Sequence, residues 1–211
     1  GVEISAGVSA YNHKNSNAWI QDKMDAKNFD YPTGNTTDGR TENIDIIIGG
    51  DFAEGRGNAT VYGTWREGEP VMQGNRDYSS CALNGASTSC GGSGNAIIPN
   101  FYITPELTDS LGVTRLDYAS GYEYQTLAAD SSLIPSSGNL YNYAPVNHFM
   151  RPDERWSIGG MVDYAISDTT TVYGELMFNS DATRGQIAES GTFFAEEYLL
   201  PVDNAYFPQT F

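Results

Sequence analysis

The spacing of the apolar residues constrains this chain more than any other feature. Five runs alternate apolar and polar residues with a period of two, the pattern of strands that have one greasy and one wet face, while helical periodicity is weak throughout. The first sets Val2, Ile4, Ala6, Val8 and Ala10 against Glu3, Ser5, Gly7, Ser9 and Tyr11. In the second, Ile44, Ile46, Ile48 and Phe52 oppose Asn43, Asp45, Gly49 and Asp51, with Ile47 breaking the rule. The third sets Ala59, Val61, Gly63 and Trp65 against Thr60, Tyr62, Thr64 and Arg66. Trp156, Ile158, Val162, Tyr164 and Ile166 oppose Ser157, Gly159, Met161 and Asp163 in the fourth, and Val172, Leu176 and Phe178 oppose Tyr173, Glu175 and Asn179 in the fifth. Every mid-run charge, namely Glu3, Asp45, Arg66, Asp163 and Glu175, falls opposite the aliphatic residues. A soluble sandwich shows the same alternation, so the pattern alone does not say what covers the greasy face.

Connection lengths carry the reading further. The second and third runs are joined by Asp51–Asn58, and the fourth and fifth by Ser167–Thr170, both compact and rich in turn-forming residues. The stretch before the second run and residues 67–155 before the fourth are long and rich in Asn, Asp, Ser, Gly and Pro. Loops of that size are rare in compact soluble domains. Strict alternation of long and short connections predicts an all-β, antiparallel up-and-down transmembrane β-barrel, with brief turns at one rim and long extracellular loops at the other. Five strands cannot close such a barrel, so the chain reads as a fragment with further strands expected after the loop-like Asp203–Pro208. No run approaches the ~20 apolar residues of a membrane-spanning helix. Gly1–Ile4 lacks the features of a signal peptide, which is expected to be removed or to lie upstream.

Composition narrows the function classes. A formal charge of -16 repels nucleic-acid phosphates and excludes a phosphate-tracking role. The 23 glycines and 14 tyrosines suit a transmembrane barrel or a secreted β protein. Cys81 and Cys90 lie in a Ser-, Gly- and Asn-rich stretch and read as one local disulfide, whose ring would contribute roughly 2 to 3 kcal/mol. A metal site fits them poorly, because close cysteine pairs and a nearby histidine are lacking.

Several segments are similar to TonB-dependent receptors. Gly1–Gly7 through Tyr11–His13 resembles the first barrel strand of that family, and Asn58–Tyr62 through Gln73–Leu83 resembles a third strand and its following loop. The most specific match is Leu140–Pro145 leading into Arg151–Trp156, Tyr164–Asp168 and Val172–Phe178. The resemblance implies that residues 1–211 belong to a 22-stranded barrel domain in the outer membrane, without its plug. It also implies TonB-energised uptake of a scarce nutrient (siderophore-bound iron, a vitamin, an oligosaccharide or a peptide), with the TonB–ExbB–ExbD complex acting through the missing plug and lipid surrounding the barrel. A passive porin and a secreted β-sandwich carbohydrate-binding module are the rival readings.

Candidate site residues follow from position. Tyr141, Tyr143, His148 and Phe149 would line an external vestibule, where rings stack on ligands, or would pack a loop onto the rim. Arg151, with Asp153, Glu154 and Arg155, would contact ligand or form a solvated ion network. Asp45, Arg66, Asp163 and Glu175 are expected to face the lumen. Asp25, Asp30, Glu196 and Glu197 lack the spacing of a calcium loop, and no metal or cofactor is expected. Catalysis is not expected either. Glu196 and Glu197 as strand neighbours point to opposite faces, no Gly-x-Ser-x-Gly elbow occurs, and His13 and His148 have no partner set by spacing.

Overall fold

A computed structural model of the 211-residue chain describes residues 1–103, 123–129, 133–135 and 139–193. In chain order the elements are β1 (Val2–Asn15), α1 (Ala18–Asp25), β2 (Gly34–Phe52), β3 (Gly57–Gly68), β4 (Val71–Met72), β5 (Phe101–Ile103), β6 (Glu123–Leu127), β7 (Leu133–Pro135), β8 (His148–Met150), β9 (Asp153–Ser167) and β10 (Thr170–Thr183). Two 3-10 turns, Gln73–Asn75 and Asp77–Ser79, follow β4. The contacts divide the chain into two units. One comprises Gly1–Ala18, Tyr31–Ser80 and Pro145–Ile187, the other Trp19–Asp30, Cys81–Ala144 and Ala188–Phe211.

The first unit is built on a five-stranded sheet of order β1-β2-β3-β9-β10 in which every neighbouring pair is antiparallel. These are the five alternating runs, and the expected antiparallel β architecture is observed. No helix among the described residues is long and apolar enough to cross a membrane. The register aligns the greasy residues into rungs that cross the sheet. One rung is Val2–Ile48–Val61–Gly160–Leu176, the next Ile4–Ile46–Gly63–Ile158–Phe178, and the next Ala6–Ile44–Trp65–Trp156–Ser180. Toward the short turns the face continues through Gly50–Ala59–Val162–Gly174 to Phe52–Gly57–Tyr164–Val172. A one-residue slip would invert this arrangement, so the hydrophobic pattern fixes the pairing.

Both tight connections are hairpins. The ladder between β2 and β3 continues to Phe52 and Gly57, so the link shrinks to residues 53–56, with Ala53, Glu54 and Gly55 in left-handed conformations. Asp168 and Thr169 link β9 to β10, where Ser167 pairs with Thr170.

The long connections contain more order than their composition suggests. β1 runs on to Asn15 and β2 begins at Gly34, so much of the presumed first loop is strand. The ladder there survives a bulge between Ser9 and Tyr11 that places the extra residue on β2. Gly39 lies in it at φ 61°, and an added Cβ would come within 2.6 Å of the Val71 side chain and 2.7 Å of the Tyr11 ring, so no other residue fits without displacement. Helix α1 occupies part of the remainder. Ile20 and Met24, four residues apart, are its buried pair, and the Lys23 ammonium lies 4.4 Å over the Trp19 ring at the same spacing.

Residues 69–152 carry β4 to β8, which form a two-stranded sheet (β4-β8) in the first unit and a three-stranded sheet (β5-β6-β7) in the second, separate from the main sheet. The expected Cys81–Cys90 disulfide is present in the second unit, with Cα atoms 5.8 Å apart. Within its ring the Asn84 Oδ1 accepts the backbone N–H of Thr88, four residues on, at 2.8 Å, which holds the chain back on itself.

Candidate functional site

The main sheet presents two chemically distinct faces. Its greasy face is open among the described residues: Ile4 is 66 % exposed, Ile158 58 % and Leu176 79 %. Among the described residues, the largest fully buried side chains, Ile20, Met24, Val71, Asp77, Cys90 and Ser80, all lie outside this sheet, so none of them packs a core against the apolar rungs. At the turn end the rungs finish in Phe52 and Tyr164, whose rings stack 6.0 Å apart. At the opposite end they finish in the cross-strand pair Trp65–Trp156, with Phe178 5.3 Å from Trp156. The following rung on that face is Glu42–Glu67–Glu154.

Asp45, Arg66, Asp163 and Glu175 share the other face, as their alternation requires. Asp45 accepts hydrogen bonds from Ser5 Oγ at 3.2 Å and Asn43 Nδ2 at 2.9 Å. Arg66 lies 3.6 Å from Asp153, and Arg155 donates from Nε to Asp181 at 2.8 Å. Tyr62 lies across Gly159, where a Cβ would approach its ring and hydroxyl to 2.5 Å, so a glycine in β9 makes room for an aromatic ring from β3. The face is polar but not uniformly so, since Ile47, Tyr62, Gly159 and Met177 form one rung of it.

Beyond the apolar rungs, side chains from β1, β2 and the segment after β4 meet in a buried polar knot. Arg76 is only 4 % exposed and its guanidinium forms a double hydrogen bond with Asp38. Asn75 Nδ2 also donates to Asp38, at 2.8 Å. Asp77, 1 % exposed, accepts the backbone N–H of Asn17 at 2.8 Å and lies 3.4 Å from His13 Nε2, while its own N–H donates to Asn15 Oδ1 at 2.9 Å. Burial alone would push the Asp38 carboxyl up, but the hydrogen bonds from Arg76 and Asn75 and the positive charge of Arg76 outweigh it and leave the group below its ordinary value. The same Asp38 hydrogen bond holds Arg76 more firmly protonated than usual.

Rings gather on this knot. His13 and Tyr78 meet edge to face with centroids 5.1 Å apart, and Tyr78 meets Phe149 in the same manner at 5.7 Å. Phe149 is supplied by β8, which β4 holds through the pairs Val71–Met150 and Met72–His148.

The expected ligand-facing residues are divided between the two units. Tyr141 and Tyr143 belong to the second unit and His148 and Arg151 to the first. Tyr141 pairs through its backbone with Ser93 and donates its hydroxyl to Glu189. That hydrogen bond, with burial and the nearby charge, raises the Tyr141 phenol above its ordinary value, and it lowers the Glu189 carboxyl. His148 Nδ1 accepts the Gln186 backbone N–H at 3.2 Å. The Arg151–Arg155 cluster is divided between faces, with Asp153 and Arg155 on the polar side and Glu154 on the greasy side. Glu196 and Glu197 lie outside the described residues, as does Asp203–Pro208. Sequence reading missed His13, Asp38, Arg76, Asp77 and Tyr78 as a group, because they are joined only across strands.

Comparison with protein-family models, curated protein sequences and solved structures finds no match to this chain.

Proposed function

We propose that this chain forms part of an outer-membrane β-barrel, a fragment of a 22-stranded one with long extracellular loops, in a TonB-dependent receptor that imports a scarce nutrient. The observation that carries the proposal is the open greasy face bounded by aromatic pairs. From the Phe52–Tyr164 rung to the Trp65–Trp156 rung, whose β2 member is Ile44, is eight residues along β2, and the first charged rung, Glu42–Glu67–Glu154, lies two further on. That corresponds to ~26 Å of strand between the aromatic margins and ~33 Å to the charged rung, or ~20 and ~25 Å of height at a tilt of about 40°. The ~25 Å apolar band of an outer-membrane barrel, flanked by aromatic girdles, falls at the upper end of this range. Short hairpins at one end of the strands and long connections at the other support the same orientation. On this proposal Asp45, Arg66, Asp163 and Glu175 face the lumen, the polar knot stands outside the membrane, and TonB with ExbB and ExbD acts through a plug beyond these residues. A passive porin would share the greasy face, whereas a secreted β-sandwich would seal it under a second sheet.

Growth of a deletion strain on limiting iron, vitamin and carbohydrate sources tests the function, with fractionation locating the protein. Impaired growth on one nutrient, reproduced in a strain lacking TonB, is the expected result. A deletion strain impaired on none of them would refute import, and uptake that persists without TonB would leave a porin.

A further inference from the structure

The two tight hairpins hold one cation among acids. Asp51, Glu54, Asp163 and Asp168 lie in or beside them, and Arg56 is their only basic side chain. Arg56 is exposed, yet no carboxylate of the described residues pairs with it. Its guanidinium stands instead 5.5 Å over the ring of Tyr164, and its one side-chain hydrogen bond is long, from Nε to the Ala53 carbonyl at 3.5 Å. The other N–H groups of the fork are open among the described residues. The ring beneath is fixed. Tyr164 closes the turn side of the greasy face together with Phe52, the two rings lying 6.0 Å apart and 8° from parallel. Gly57, between them in the same rung, makes room for this, since a Cβ there would collide with the Phe52 ring. The backbone of Arg56 is held as well: its carbonyl accepts the Ala165 N–H at 2.7 Å, and its N–H donates to the Ala53 carbonyl at 3.3 Å.

A guanidinium with open donors at the aromatic margin of an exposed apolar face matches a molecule that is greasy along its length and phosphorylated at its boundary with water. Charge narrows the headgroup. One cation among four acids repels a headgroup of net negative charge. It also leaves carboxylates for a positive group, nearest in sequence Glu54, in the same turn as Arg56, and Asp168, in the neighbouring turn at the same end of the sheet. We propose that Arg56 and Tyr164 form a binding site for a zwitterionic phosphoethanolamine lipid. The phosphate accepts hydrogen bonds from the Arg56 fork, the primary ammonium donates to Glu54 or Asp168, and the acyl chains lie along Phe52 and the apolar rungs. A quaternary ammonium has no N–H to give a carboxylate and is the poorer match. The proposal rests on the lipid-facing reading of the greasy face and adds to it a headgroup and the residues that select it.

The test is lipid retention by the full-length protein. It is reconstituted into nanodiscs of equal parts phosphatidylethanolamine, phosphatidylglycerol and phosphatidylcholine with identical acyl chains, extracted in detergent, and the lipids that stay bound are read by native mass spectrometry. Phosphatidylethanolamine should be retained in preference to the other two. Arg56→Gln should cut its retention about tenfold, the loss of one charge-assisted hydrogen bond. Glu54→Gln combined with Asp168→Asn should bring phosphatidylethanolamine and phosphatidylcholine to equal retention, and Lys14→Gln, which removes a cation at the far end of β1, should change nothing. Hydrogen exchange at residues 51–58 checks that the variants keep the hairpin. Equal retention by the parent protein and Arg56→Gln, or a preference for phosphatidylglycerol or phosphatidylcholine, would overturn the headgroup site and leave the lipid-facing assignment standing. A protein that stays soluble without detergent and retains no lipid would overturn both.

Discussion

Replacing Val61 with arginine separates a lipid-facing surface from a protein-covered or water-covered one. Val61 is in the central strand β3, 54 % exposed, on the middle of the five apolar rungs that run from Phe52–Tyr164 to Trp65–Trp156. An arginine at the mid-height of a lipid-facing barrel surface costs about 2–4 kcal/mol, and one near the interface about 0–1 kcal/mol. At 1.4 kcal/mol per decade, Val61→Arg should lower the folding equilibrium by about 30- to 700-fold. Two companion variants calibrate it. Thr60→Arg places the same charge one residue away on the polar face, and Glu67→Arg places it on the greasy face at the outer rung, and each should cost about 1 kcal/mol or less. The assay is reversible folding of the full-length protein into phosphatidylcholine vesicles, followed by tryptophan fluorescence in a denaturant series. Equal costs for Val61→Arg and Thr60→Arg, or a larger cost for the latter, would refute the lipid-facing assignment.

Three further outcomes concern the polar knot and the disulfide. The folded-state pKa of Asp38 is depressed, so the stability it contributes is fully present above its unfolded value of ~3.9 and is lost as pH falls through the folded value. Hydrogen exchange at residues 73–80 should therefore stay slow at pH 5 and accelerate only below about pH 4. In Arg76→Met it should already be fast at neutral pH, since removing one partner of a buried pair costs about 3–5 kcal/mol; unchanged protection in that variant would refute the role of the pair. Reducing Cys81–Cys90 should loosen residues 81–90 by roughly 2 to 3 kcal/mol while the five-stranded sheet keeps its thermal transition. Proteolysis with and without reductant reads both, and a shifted sheet transition would contradict the separation of the two units.

The five main strands were legible because each has two chemically different faces, and a residue's parity along the run records which one it joins. That is why Asp45, Arg66, Asp163 and Glu175 come to one face as alternation requires. The same signal fails in the outer half of β2, Gly34–Thr41, where nearly every residue is polar, so the ladder leaves no mark in the hydropathy. Helix α1 escaped because eight residues with one buried pair give little periodicity. The polar knot was illegible for a different reason. Arg76 and Asp77 resemble any solvated pair in a loop, and only the return of Asn15, Asn17 and Asp38 from distant strands makes them buried and paired. The disulfide was readable because the spacing of Cys81 and Cys90 left few alternatives.

Strands β2 and β3 differ in length by 7 residues, 19 against 12, and this gives the sheet two grades of rigidity. Where both neighbours are present, β2 is zipped along each edge by peptide groups that neither salt nor acid can titrate. Past Thr41 its ladder continues only to β1; on the other edge the Arg40 carbonyl still accepts the Glu69 N–H at 2.8 Å, and beyond it Asp38 is fastened through its side chain to Arg76. Acid therefore unfastens the Gly34–Arg40 end of β2 first and leaves the ladders it shares with both neighbours intact.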